Sequence, residues 1–220
     1  MERENKTQYR ILILIALAHG LNDLIQGMIP SIYPTLQAKY ALTMTQVGLI
    51  TFCYQLSASI LQPLVGHYTD KHPQPYSQVL GMGFTTLGAI FLSMASNYSS
   101  ILLSVVLIGV GSSVFHPEAS RVAFLASGGK RSFAQAIFQL GGNLGTAFAP
   151  LLVILLVFSK KIVDGTLVEE AHQEQLVWFA LFSIFAMGLL AVIGKWRSIL
   201  LKLLKEKPKK AIVQPNLSRA

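Results

Sequence analysis

The stretch Gly109-Val110-Gly111-Ser112-Ser113-Val114-Phe115-His116-Pro117-Glu118-Ala119-Ser120-Arg121 decides how this chain is read. It continues an uncharged apolar segment, Ile101 to Ile108, and apolar Val122 to Ala126 follow it. Between them a histidine, a carboxylate and a guanidinium stand within six positions. A charged side chain at the centre of a membrane costs roughly 2.5–3.5 kcal/mol on insertion scales. Such a group persists where it faces a cavity or a partner. Glu118 and Arg121 are spaced to share one face of a helix. Pro117 removes one backbone N–H and is expected to bend the helix beside them. Two readings stay open: a buried polar site on a transport path, or a helix end where Arg121 snorkels to the headgroups and Glu118 pairs with it.

The rest of the composition favours a membrane. The 220 residues are 52% hydrophobic and 13% charged, with a mean hydropathy of +0.52. A soluble domain carries about 25% charged residues, so most of this surface meets lipid. A spanning helix takes about 20 residues, which leaves room for six spans with short connections. The net charge of +8 does not indicate nucleic acid, because the basic residues lie between and after the apolar segments, the distribution that orients a membrane protein. Cys53 is the single cysteine, which excludes an internal disulfide and reads as packing. Arg3, Lys6 and Arg10 before Ile11 to Ala18 resemble a signal peptide. The apolar run continues and five more spans follow, so an uncleaved first helix is expected.

The expected spans are 11–36, 45–65, 76–95, 99–125, 133–158 and 175–194. The first is interrupted by His19-Gly20-Leu21-Asn22-Asp23 and by Pro30 and Pro34. Fourteen Lys and Arg fall on the side of the two termini and three on the other (Lys39, Lys160 and Lys161), with Arg121 inside span 4. The positive-inside rule then puts both termini in the cytoplasm. The tail from Lys195 to Lys210 mixes Trp196, Ile199, Leu200, Leu203 and Leu204 with five further lysines. It reads as an amphipathic helix on the anionic inner leaflet or as a solvated basic linker. Pro208 and Pro215 end any helix there. A faint repeat relates spans 1–3 to spans 4–6. The first helix of each group is broken by charges and proline, and the second carries Tyr54-Gln55-Leu56-Ser57 or Phe138-Gln139-Leu140-Gly141. Interrupted helices at matching places in two repeats point to a transporter's binding site.

Asn22 and Asp23 lie about twelve residues into span 1, about 18 Å deep at 1.5 Å per residue, near the bilayer midplane. A carboxyl there, with a charge that depends on substrate and exposure, suits a proton-carrying site; the alternative is that Asp23 bonds Asn22 or a neighbouring helix and holds the bundle. His19, one turn earlier, can pair with Asp23 or be structural. His116 stands near Glu118 in the central stretch, but the two lack further ligands at any recognisable metal spacing, so no metal site is expected. Gly141-Gly142-Asn143-Leu144-Gly145 has the small-xxx-small spacing of close helix packing, with Asn143 free to face a cavity. Gln55 and Gln139 fit interhelical hydrogen bonds and cavity lining equally. An intramembrane hydrolase built on Ser112 or Ser113 with His116 is a remote alternative, because no Gly-x-Ser-Gly nucleophile turn surrounds them.

The turn Gly66-His67-Tyr68-Thr69-Asp70-Lys71-His72-Pro73-Gln74-Pro75 resembles the signature loop of the major facilitator superfamily. Gly66, Asp70 and Lys71 match, whereas Pro73, Gln74 and Pro75 replace the later glycine and basic residues. With Gly20-Leu21-Asn22-Asp23 and the Phe115-to-Ala119 stretch, the chain resembles the fosmidomycin resistance protein group of that superfamily. The resemblance implies an all-α membrane protein: six transmembrane helices arranged as two three-helix inverted repeats, equivalent to the N-terminal half of a twelve-span transporter. Residues 1–194 would form the bundle and residues 195–220 a basic tail. It implies a proton-coupled antiporter in the bacterial inner membrane, exporting a phosphonate antibiotic or a similar small molecule, with no enzyme activity and no cofactor. Asp23 and Glu118 become candidates for proton coupling. Arg121, His116, Asn22 and Asn143 become candidates for substrate binding, since a phosphonate is an anion that a guanidinium suits. Gly66, Asp70 and Lys71 form the cytoplasmic gate loop, whose acid is expected to meet the opposite half. That half must come from a second chain or a self-dimer; the alternative is an inactive or assembly-only fragment.

Overall fold

The computed structural model describes residues 6–163 and 166–206. The order is α1 (Tyr9–Ser31), α2 (Tyr33–Tyr40), α3 (Met44–Lys71), α4 (Ser77–Ser93), α5 (Tyr98–Ala126), α6 (Arg131–Val157), β1 (Phe158–Val163), β2 (Thr166–Ala171) and α7 (Val177–Glu206). Among the described residues, α1, α3, α5, α6 and α7 are long and apolar enough to cross a membrane. α4 has 17 residues, about 26 Å of helix against a hydrocarbon core of about 30 Å. Capping boxes start two of the long helices. The Thr43 hydroxyl accepts from Gln46 N at 3.3 Å at the head of α3, and Asn97 Oδ1 accepts from Ser100 N at 2.9 Å at the head of α5.

Leaving out the short α2 and counting α4, successive helices run in opposite directions. At one end Gln8 N donates to Ala126 O at 2.8 Å, tying the start of α1 to the end of α5. At the other end Tyr98 OH donates to Gln46 O at 3.1 Å, and Tyr40 OH donates to Gln173 Oε1 at 2.7 Å. Gln173 itself donates to Leu92 O and Ala95 O, which locks the end of α4 to the start of α7. One buried cluster, including Ile25, Ile29, Val105 and Phe179, fills this end, and a second, including Leu12, Phe115, Val122 and Leu190, fills the end near the termini. α1 lies directly on α6 through glycine: a Cβ on Gly20 would sit 2.8 Å from Gly141 O. The outer faces keep Phe52, Leu64, Leu151 and Leu155 exposed, an arrangement that only an apolar surround tolerates.

Three features depart from the sequence expectations. The first span is unbroken at His19–Asp23; α1 runs through both that stretch and Pro30, and the chain breaks only at Ile32. α5 likewise passes through Pro117 as one helix. In both cases the polar groups find partners on neighbouring helices, so the backbone has no reason to open. The connection before α7 is an antiparallel hairpin, with Val163 opposite Thr166. α7 continues to Glu206, across the expected 194/195 boundary, with Arg197 buried. Lys207, Lys209, Lys210, Pro208 and Pro215 lie outside the described residues.

Candidate functional site

One turn of α1 after another presents His19, Asn22, Asp23 and Gln26 toward α5 and α6. His19 is held first. Its Nδ1 lies 2.8 Å from the carbonyl oxygen of Phe138, and its ring stacks on that of Phe138 with centroids 3.9 Å apart. A carbonyl only accepts, so Nδ1 carries a proton. Nε2 then faces Asp23 Oδ2 at 3.1 Å. Two lone pairs at that distance repel, so a proton bridges them, borne by the imidazole or by the carboxyl. Asn22 Nδ2 donates to Asp23 Oδ1 at 3.1 Å, and the buried Asn22 Oδ1 has no hydrogen-bond partner among the described residues.

α5 contributes His116. Its Nε2 lies 3.8 Å from Asp23 Oδ1 and 3.5 Å from Gln26 Nε2, and its ring meets that of His19 edge-on, centroids 5.3 Å apart. Tyr54 of α3 donates its hydroxyl to Gln26 Oε1, which turns the Gln26 amide N–H₂ toward His116. The site is open on one side: the His116 and Asp23 side chains are 26% and 18% exposed, that of His19 only 4%. Gly142 makes the room, since a Cβ there would sit 2.6 Å from Asp23 Oδ2.

The other half of the central stretch belongs to a second cluster, at the end of the bundle that carries the N-terminal segment. Glu118 is fully buried and pairs with Arg121 on its own helix and with Arg197 of α7. Ser77 of α4 donates to Glu118 Oε2 at 3.2 Å. Arg121 also donates to Thr69 Oγ1 at 3.0 Å and pairs with Asp70, both at the end of α3. Two carboxylates thus face two guanidiniums. The formal charges cancel without an added proton, and four helices are tied together.

His116 and Glu118 therefore serve different sites, although two residues apart in sequence. Asn22, Asp23 and His116 come together; Glu118, Arg121 and Asp70 come together elsewhere. Asp70, expected to reach toward an opposite half, pairs with Arg121 of its own chain. Lys71 is exposed in the last turn of α3, where a cation complements the helix dipole. A Cβ added at Gly66 would meet Pro117 Cβ at 4.0 Å, an ordinary contact. Asn143 is exposed on α6, on the face it shares with Gln139 and Thr146. Ser113 is buried and donates back to Val110 O at 2.6 Å. Sequence reasoning missed Gln26, Tyr54, Thr69, Ser77 and Arg197. Gln26 shares a helical face with Asn22 and Asp23, a signal that was available; Arg197 is hidden in a basic run, one of the fourteen basic residues assigned to the side of the termini.

Comparison with known proteins fits this architecture. The sequence profile of the Major Facilitator Superfamily matches residues 15–218. The fosmidomycin resistance protein of Escherichia coli (strain K12) is 45% identical over 210 residues, 96% of this chain and 49% of the relative. An uncharacterised transporter of the superfamily type from Bacillus subtilis (strain 168) is 41% identical over 196 residues, 89% of this chain and 45% of the relative. The chain spans about half the length of the curated relatives it matches. Crystal structures of tetrameric PepTSo2 and of the transporter FucP in an outward conformation superpose with TM-scores of 0.69 and 0.57. They are 15% and 19% identical and cover 91% and 92% of this chain, which is 47% and 51% of theirs. These similarities establish an integral membrane protein of transporter fold, and the chain belongs to the major facilitator superfamily.

Proposed function

We propose that this chain is a six-span half of a proton-coupled efflux transporter in the bacterial inner membrane, with both termini cytoplasmic. The observation that carries the reading is the pairing of His19 Nε2 with Asp23 Oδ2 at 3.1 Å, with His19 Nδ1 held by the Phe138 carbonyl, on the open side of the site. A carboxyl that shares its proton with a pinned imidazole can release it when a hydroxyl or amide donor of the substrate bonds to the carboxylate. His116, Asn22 and Asn143 supply polar contacts to that substrate. The substrate is a phosphonate or a similar small molecule, since the Escherichia coli relative is named for fosmidomycin resistance.

Glu118, Arg121 and Asp70, with Gly66 and Lys71, act as the gate at the cytoplasmic end. The charge-matched cluster favours this role for Glu118 and Arg121 over proton carriage and substrate contact, because each group is already engaged by the others. The packing of α1 on α6 and of α5 on α3 is the exchange that two inverted three-helix repeats would give. A second six-helix half, or a second copy, would cover the exposed faces of α3 and α6. The basic tail would lie on the inner leaflet.

The test is accumulation of a labelled phosphonate in cells expressing the chain alone, and beside the complementary half of the Escherichia coli relative. We expect accumulation to fall, to recover with a proton uncoupler, and to recover in Asp23→Asn. Export that survives Asp23→Asn would overturn the proton site. No export in either setting, with both chains present in the membrane, would overturn the efflux reading.

A further inference from the structure

We propose that His19, Asp23 and His116 bind a divalent transition-metal ion of the zinc class, through Nε2 of both imidazoles and one carboxylate oxygen. The three side chains present ligand atoms that all lie within 4.8 Å of one another. His19 Nε2 lies 3.1 Å from Asp23 Oδ2 and His116 Nε2 lies 3.8 Å from Asp23 Oδ1, so the carboxylate turns one oxygen to each imidazole. Rotating it brings a single oxygen toward the ~3.4 Å that separates ligands of a tetrahedral shell with bonds of 2.0–2.1 Å. Small side-chain rotations on the open side of the site would complete the approach.

The surroundings are those of a ligand set. A metal-binding histidine characteristically donates its other ring nitrogen to a carbonyl or carboxylate, which fixes the tautomer and aims the lone pair. His19 does this through Phe138 O at 2.8 Å, and stacking on the Phe138 ring holds its rotation. Asn22 supports the carboxylate from the side. The His116 ring stands at 81° to that of His19, so the two nitrogens converge from different helices. The buried Asn22 Oδ1, without a partner among the described residues, adds an acceptor beside the carboxylate. A fourth position faces the exposed side of Asp23 and His116 and is left for solvent or a carried ligand. Two imidazoles and one carboxylate select zinc, cobalt, nickel or copper over magnesium or calcium, which prefer all-oxygen shells. The ion would take the place of the proton between His19 and Asp23, and the inference does not depend on what the chain transports.

The test is a titration of the untagged, detergent-purified chain with Co²⁺, read by its visible absorption, followed by Zn²⁺ competition. We expect intense four-coordinate bands saturating at one equivalent, displaced by Zn²⁺ and not by Mg²⁺. His116→Ala and Asp23→Asn should each weaken Zn²⁺ binding at least tenfold. His72→Ala, at the far end of α3, should leave it unchanged. Weak bands indifferent to His116 and Asp23, or bands lost in His72→Ala alone, would overturn the proposal. If a variant fails to fold, X-ray absorption of the zinc-loaded wild type decides. Two imidazoles with oxygen ligands support the site; a sulfur ligand from Cys53 or fewer than two imidazoles refutes it. Because the readout is metal binding, its failure leaves the efflux reading standing, and loss of export leaves this site standing.

Discussion

Replacing Arg197 by alanine perturbs the least anticipated contact in the molecule. Arg197 is 2% exposed and Glu118 fully buried, and the pair joins α7 to α5. Removing one partner of a buried ion pair leaves the other charge uncompensated, which costs about 3–5 kcal/mol. Glu118 would keep Arg121 and Ser77, so the lower end of that range applies. At 2–4 °C per kcal/mol for a chain of this size, the melting midpoint should fall by about 6–12 °C. Glu118→Leu alone strands Arg197, whose Nε has no partner among the described residues, and should be equally costly. The double variant Glu118→Leu/Arg197→Leu removes both charges and leaves Arg121 with Asp70 and Thr69. It should be more stable than the two single losses sum to, by about 0.5–3 kcal/mol. The assay is thermal unfolding of the detergent-purified chain followed by helical circular dichroism. A midpoint for Arg197→Ala within about 2 °C of wild type, against the ~2–4 °C expected per kcal/mol, would refute the reasoning. Strict additivity in the double variant would refute it equally.

Other outcomes follow from the same packing. Gly145→Val drives a side chain into the Gly20 carbonyl of α1, and because backbone cannot yield, unfolding should show a loss of about 1–3 kcal/mol or more. Thr43→Ala removes the hydroxyl that caps α3 and should cost about 0.5–2 kcal/mol in the same assay; no change would mean the cap is solvent-satisfied. In a Cys53→Ser background, Ser96→Cys should react with a membrane-impermeant thiol reagent in intact cells, and Lys130→Cys only after permeabilisation. The reverse pattern would invert the proposed orientation, and labelling of both from one side would mean α5 does not cross.

Much of the site was legible as residue types but not as partnerships. Asp23, Asn22 and His116 stood out because polar groups in apolar runs are costly, and they do converge. The separation of His116 from Glu118 was not legible. It depends on which way each side chain turns from α5, and that is decided by Asp23 and Gln26 on one side and Arg197 on the other. His19 was readable as a partner for Asp23, yet its proton inventory rests on the Phe138 carbonyl, 119 residues away in sequence.

By itself the sequence determined that this chain is a bundle of apolar helices and where most of them begin and end, because hydropathy, capping residues and turn residues act over a few positions. It also carried the family resemblance in its polar interruptions. Only the tertiary structure decided what those interruptions do. α1 and α5 stay helical through charges and proline because the free energy of a buried polar group is set by its partner. Those partners, Phe138 for His19 and Arg197 for Glu118, come from helices packed against them in space and remote in the chain.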